Sequence, residues 1–155
     1  MDTLTVESPL ICVGEQLQAH VRYTREQIAR FAELSGDHNP LHHDHAAAER
    51  AHFGEVIASG QQTASKMMGM VASHFSRRED GVPREMLALN FNFAFKGPIF
   101  AEQDVHLLWR VSSIEPSERQ GGLIGHVDGT ASVAGRRCVV GRGTILVRRS
   151  SSRSR

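Results

Sequence analysis

Residues 59–75 read SGQQTASKMMGMVASHF, and residues 86–95 follow with MLALNFNFAF. In the first stretch Ser59 and Gln62 have the spacing of a capping box, and Ala64, Met67, Met68, Val71, Ala72 and Phe75 recur at helical intervals. The pattern predicts a helix of about four turns beginning near Gly60. Its methionines read as core filling, with no reason to make them a ligand site. In the second stretch Leu87, Leu89, Phe91, Phe93 and Phe95 alternate with Ala88, Asn90, Asn92 and Ala94, the two-residue period of a half-buried strand.

Working outward, Val105, Leu107, Trp109 and Val111 repeat the alternation, and Leu123, Val127, Ala131 and Val133 continue it. The Ala134-Gly135 step then leads into a last strand through Cys138, Val140, Thr144 and Leu146. Upstream, Thr24 and Gln27 form another capping box, and Ile28, Phe31, Ala32 and Leu34 predict a short helix from about Arg25 to Leu34. The SGDHNP stretch stops it, because the residue before a proline resists helical geometry. Asp44 caps a second short helix through AAAERA, and HFG makes a turn.

These elements give an α+β chain in which three or four long antiparallel strands follow one buried helix. A twisted sheet needs its apolar face covered, and only the helix near Gly60 carries a long enough stripe, so the antiparallel sheet wraps around a central helix. Unpaired sheet edges then invite a second copy, which predicts a homodimer joined partly through those edges.

Composition sets bounds on function. At 155 residues, 40% hydrophobic and 23% charged, the chain is the size of one ordinary soluble domain. Formal net charge is +1, but Arg148, Arg149, Arg153 and Arg155 lie in the terminal RRSSSRSR, and without those four arginines residues 1–147 carry −3. A mildly acidic body argues against nucleic acid as a partner. Residues 149–155 read as a disordered Ser/Arg-rich tail on a domain spanning 1–148. The opening MDTLTVESPL has neither the basic start nor the apolar core of a secretory signal, and no apolar run reaches the length of a membrane span. A cytoplasmic protein without a membrane partner is expected. Cys12 and Cys138 lack C-x-x-C spacing and are expected to be buried free thiols.

Five of the nine histidines fall between residues 38 and 52, in DHNPLHHDHAAAERAH. A metal site from Asp37, His42, Asp44 and His45 is one reading, but the spacings match no known ligand pattern, and His43, His45 and His52 read as solvent-facing residues around a short helix. The other reading needs only Asp37 and His42. Pro40 prevents a continuous helix between them, so a turn can bring carboxylate and imidazole to one point, where with a bound water they suit general acid–base chemistry near neutral pH. Asn39, a turn residue, holds the loop's shape by bonding local backbone.

FAELSGDHNPLHHD at 31–44, followed by HFGEVIASG at 52–60, closely resembles the hydratase motif of MaoC-like dehydratases and R-specific enoyl-CoA hydratases. The likeness extends from about Tyr23 to Val147 and is specific between Phe31 and Gly60. It implies a hot-dog fold, a homodimer, and hydration of trans-2-enoyl-CoA to (R)-3-hydroxyacyl-CoA or the reverse dehydration. By the same resemblance Asp37 and His42 are the catalytic pair, Asn39 and Pro40 shape their loop, and Gly60 supplies the backbone N–H of the oxyanion hole. No cofactor or metal is implied; the partner is an acyl-CoA thioester. The residues support the Gly60 assignment, since N–H groups opening a helix lack intrahelical partners and face the positive end of its dipole. Simple close packing explains a glycine there equally well.

The sequence departs from the family pattern at Ser59, where many members have His, and at Gln61 and Gln62, where members with aliphatic substrates often have apolar residues. The substitutions suit a more polar or branched acyl group. Arg77, Arg78, Arg84 and Lys96 are candidates for the CoA phosphates, each equally readable as surface charge. Two other functions share this architecture. An acyl-CoA thioesterase would direct the activated water at the thioester carbonyl, and a non-catalytic acyl-CoA-binding subunit would be expected to lack one member of the Asp37/His42 pair.

Overall fold

The computed structural model describes residues 10–51 and 54–151. A strand, β1 (Gln16–Val21), precedes the first helix, α1 (Arg25–Ser35). Thr24 caps α1 as its spacing predicts: its side chain accepts from the Gln27 N–H at 3.1 Å, and the Gln27 side chain accepts from the Thr24 N–H at 3.0 Å. Gly36 ends α1 at φ 74°, a left-handed cap that costs glycine little. A 3₁₀ turn follows over Pro40–His42, then α2 (His45–Arg50), capped by Asp44, and α3 (Gly60–His74), capped by Ser59. The chain ends in four long strands, β2 (Arg84–Phe95), β3 (Val105–Ser117), β4 (Gly122–Val133) and β5 (Arg136–Arg149).

The five strands form one antiparallel sheet in the order β1-β3-β4-β5-β2. Its inner face closes on α3, where Met67, Val71 and Phe75 are fully buried against a core that includes Leu107, Trp109, Val111, Ile145 and Val147. Trp109 pins helix to sheet. Its Nε1 donates to the Met67 carbonyl at 2.9 Å, and the Phe91 and Phe93 rings meet it edge-on with centroids at 5.7 and 6.2 Å. This is the α+β hot-dog arrangement, sheet around helix, that the sequence predicts.

Four details differ from the sequence reading. β1 went unrecognised because Leu17, Ala19 and Val21 alternate over only six residues and are half-buried. On α3 the buried stripe is narrower, with Met68 half-buried and Ala72 exposed, while Gln62 and Thr63 join the interior.

The third difference is parity in the sheet. In β2 the pairing steps from Ala88↔Ile145 to Asn90↔Thr144, so Leu89 is an extra residue and the faces exchange there. Phe91, Phe93 and Phe95 share a face with Gly143, Gly141 and Val139, but before the bulge that face belongs to Met86 and Ala88. Leu87 and Leu89 are therefore 51% and 43% exposed, against the expectation of burial. In β5 a second irregularity falls between Ala131↔Val139 and Ser132↔Arg137, so beyond Cys138 the inner face is Val139, Gly141, Gly143, Ile145 and Val147 rather than Val140 and Thr144. The glycines there have a steric reason: a Cβ on Gly141 would stand 2.8 Å from the Phe93 ring, one on Gly143 2.5 Å from Phe91, and one on Gly129 would collide with the Trp109 indole.

The fourth concerns Cys12, which is exposed; only Cys138 is a buried free thiol. At the C-terminus β5 continues through Arg149, and the Ser150 N–H donates to the Pro83 carbonyl at 3.0 Å. Residues 152–155, like residues 1–9 and His52 and Phe53, lie outside the described residues. No described helix is long and apolar enough to cross a membrane.

Candidate active site

Asp37 follows directly on the left-handed cap of α1, with its backbone N–H donating to the Ala32 carbonyl at 2.8 Å. Its side chain then organises the turn: Oδ1 accepts from the Asn39 N–H at 3.0 Å. Asn39 in its turn accepts from the Leu41 N–H at 3.2 Å and caps the 3₁₀ turn, whose first residue is Pro40. That short turn carries His42 back over Asp37. The imidazole Nε2 lies 3.2 Å from Asp37 Oδ2, and the His42 side chain is buried while that of Asp37 is partly open.

The other ring nitrogen fixes the tautomer. His42 Nδ1 sits 2.7 Å from the Ile57 carbonyl oxygen, which can only accept, so Nδ1 carries the proton and the neutral ring presents a lone pair at Nε2. Ile57 is held in place in its turn. Its N–H donates to the Leu41 carbonyl at 3.2 Å, it bridges to Phe100, and the Ala58 N–H donates to Ile99 at 2.9 Å. The segment is thereby anchored on both sides just before α3 begins.

Ser59 accepts from the Gln62 N–H at 3.3 Å, one half of the capping box its spacing predicts; the reciprocal bond is not made, Gln62 Oε1 being without a partner, and Gly60 is the first residue of α3. Its N–H has no partner inside the helix. A Cβ at Gly60 would stand 2.5 Å from the Phe95 ring, so close packing and a free N–H coexist at this position. Asp37, His42 and Gly60 all line one cleft of roughly 580 Å³, together with Ile57, Gln61, Thr63, Phe95, Lys96, Gly97, Pro98, Ile99 and Val139. A groove of roughly 640 Å³ between α1 and α3 holds none of the three.

Electrostatics favour the carboxylate form of Asp37. Its pKa is lowered chiefly by the Asn39 N–H, against a smaller opposing effect of burial, with further help from the charge of His42, the Gln61 side-chain amide and the charge of His43. Gln61 Nε2 donates to Asp37 Oδ2 at 3.2 Å. Sequence reasoning missed this contact, because only the meeting of the turn with the start of α3 reveals it.

The remaining candidates separate cleanly. His43 is exposed and reaches the Asp37 backbone carbonyl at 3.0 Å, His45 pairs with Glu49 at 3.5 Å, and no three His, Cys, Asp or Glu side chains among the described residues converge as metal ligands. Arg84 is buried and clamped by Asp80 at 2.7 and 2.8 Å, so it is structural. Arg77 and Arg78 lie beyond the far end of α3 from Gly60. Of the four cations, only Lys96 lines the cleft.

Comparison with known proteins bears on the family and the fold. Residues 12–130 match the family model described as MaoC like domain. The chain is 30% identical over 93 residues to the (R)-specific enoyl-CoA hydratase of Aeromonas caviae, covering 60% of this chain and 65% of that protein. It is 39% identical over 57 residues to 3-hydroxyacyl-thioester dehydratase X of Mycobacterium tuberculosis, covering 37% of this chain and 20% of that one. The matched stretches thus span less than two thirds of these curated relatives. In three dimensions it resembles the (R)-hydratase from A. caviae involved in PHA biosynthesis, with a TM-score of 0.76 and 24% identity over 89% of this chain and 98% of that one.

Proposed function

This chain belongs to the MaoC-like domain family, and we propose that it catalyses the R-specific addition of water to a trans-2-enoyl-CoA, or the reverse dehydration of the (R)-3-hydroxyacyl thioester. The observation that carries this reading is the disposition of His42 and Asp37: with Nδ1 committed to Ile57, Nε2 faces Asp37 Oδ2 at 3.2 Å in the lining of one cleft, so a proton held between them closes the pair and its loss leaves two acceptors. With the ring neutral, both atoms offer lone pairs to a water molecule that enters the cleft. Its oxygen lone pair is then left free to point into the cleft.

In the hydration direction that oxygen bonds to the β-carbon as a proton passes to His42 Nε2. The electron pair of the double bond moves onto the thioester oxygen, forming an enolate. The Gly60 N–H at the start of α3 stabilises this oxygen; a preorganised donor in such a site is typically worth about 3 kcal/mol. Return of the pair to the α-carbon with a proton from the imidazolium completes the addition and restores the site. The test is a spectrophotometric assay with crotonyl-CoA and a longer enoyl-CoA. Loss of enoyl absorbance without release of free thiol, with (R)-product on chiral analysis, is expected. Thiol release at the same rate would instead make the enzyme a thioesterase.

The same reading includes a homodimer. β2 is an edge strand, and Leu87, Leu89 and Phe95 along it are 51%, 43% and 57% exposed in the single chain. Light scattering should give twice the 17.1 kDa chain mass, and Leu89→Lys, which puts a charge on that edge, should shift the protein toward monomer. A wild-type protein of single-chain mass would remove the dimer.

A further inference from the structure

Gln61 is the second residue of α3 and its side chain is exposed, so it contributes nothing to the core. Its carboxamide nevertheless reaches across the cleft wall to donate to Asp37 Oδ2 at 3.2 Å, the same oxygen that faces His42 Nε2. The structure assigns Gln61 as a positioning residue that keeps the Asp37 carboxylate ionised and oriented, leaving His42 as the group that carries the proton. This inference rests on the hydratase reading above and divides the labour of the pair.

The argument is one of donors and acceptors. Asp37 Oδ1 is satisfied by the Asn39 N–H. Oδ2 has two neighbours, Gln61 Nε2 and His42 Nε2, and the second is a lone pair whenever the ring is neutral. Without Gln61, the remaining acceptor pair would favour capturing a proton between carboxylate and imidazole, which blocks both water binding and proton uptake. A carboxamide is neutral across the working pH range and donates without giving its proton away, so it stabilises the anion at every pH where the enzyme acts.

The charged and titratable groups around Asp37 are few. From its own turn come His42 and His43, from α3 only the neutral Gln61, and from just beyond β2 Lys96, which lines the same cleft. Gln61 is thus the direct non-titrating side-chain donor to the carboxylate among the described residues. Its neighbour Gln62 differs, being buried with an Oε1 that has no partner.

The experiment is the pH dependence of kcat/KM with crotonyl-CoA in Gln61→Met, Gln61→Glu and Gln61→Lys. The proton that stops the reaction at low pH is the one held between His42 and Asp37, so losing the Gln61 hydrogen bond should raise the acidic limb of that pair, by about one unit in Gln61→Met and further in Gln61→Glu. The loss in Gln61→Met should be largest at the acidic end of the profile and smaller above the limb, where the carboxylate is ionised without help. Gln61→Lys restores a donor and should return the limb to its original position or below. A limb that stays put in both Met and Glu variants, or a loss uniform with pH, overturns the assignment. Asp37→Asn run alongside separates the two levels: if it is as active as wild type the hydratase mechanism falls, and if it is inactive while the limb is unmoved only the role of Gln61 falls.

Discussion

Asp37→Asn and His42→Ala are each expected to lose at least about a hundredfold in kcat with enoyl-CoA, with a folded protein in both cases. The two losses have different origins. In Asp37→Asn the side chain keeps its size, and its carbonyl oxygen can still accept from the Asn39 N–H. The Oδ2 acceptor, however, becomes an amide donor facing His42 Nε2 across 3.2 Å. That donor would occupy the lone pair meant for water and silence the base without removing it. In His42→Ala the proton acceptor is gone and the Ile57 carbonyl loses its 2.7 Å partner. Neither loss should be additive with the other, since both abolish one water site. Single variants within threefold of wild type, measured by loss of enoyl absorbance, would refute the mechanism.

The largest expected effect on stability lies at Trp109. Its side chain is fully buried, donates to the helix at Met67 O, and fills the space over Gly129 and Gly141 between the Phe91 and Phe93 rings. Trp109→Ala leaves a cavity exactly where sheet meets helix, and a cost of about 3–5 kcal/mol is expected from equilibrium denaturation. Trp109→Phe keeps an aromatic ring but loses the hydrogen bond, and should fall between the two. An unchanged denaturation midpoint for Trp109→Ala would show that α3 is held to the sheet by something else.

The parts of the fold legible in the sequence are those governed by local rules. Thr24 with Gln27 and Ser59 with Gln62 marked where two helices begin, because a cap is a contact between residues three apart. Asp37 and His42 were legible as a pair for a similar reason: the proline-interrupted turn brings them together within six residues. What escaped depends on partners distant in the chain. The inner faces of β4 and β5 hold glycines wherever an aromatic ring from β2 or β3 lies flat across them, so the alternation that betrays a strand's buried side is blank at Gly129, Gly141 and Gly143. The bulge at Leu89 then moves the apolar parity of β2 from one side to the other in mid-strand. The tautomer of His42 could not be read either, since it depends on a carbonyl fifteen residues away that is anchored by Phe100.

The cleft also draws its lining from separate parts of the chain. Asp37, His42, Gly60 and Gln61 come from one short run of chain, whereas Phe95 ends β2, residues 96–99 begin the connection from β2 to β3, and Val139 belongs to β5. Reactivity and selectivity are consequently written in different paragraphs of the sequence. Substitutions in β2, β5 or the connection after β2 can therefore reshape the cleft while Asp37, His42 and Gly60 keep their places.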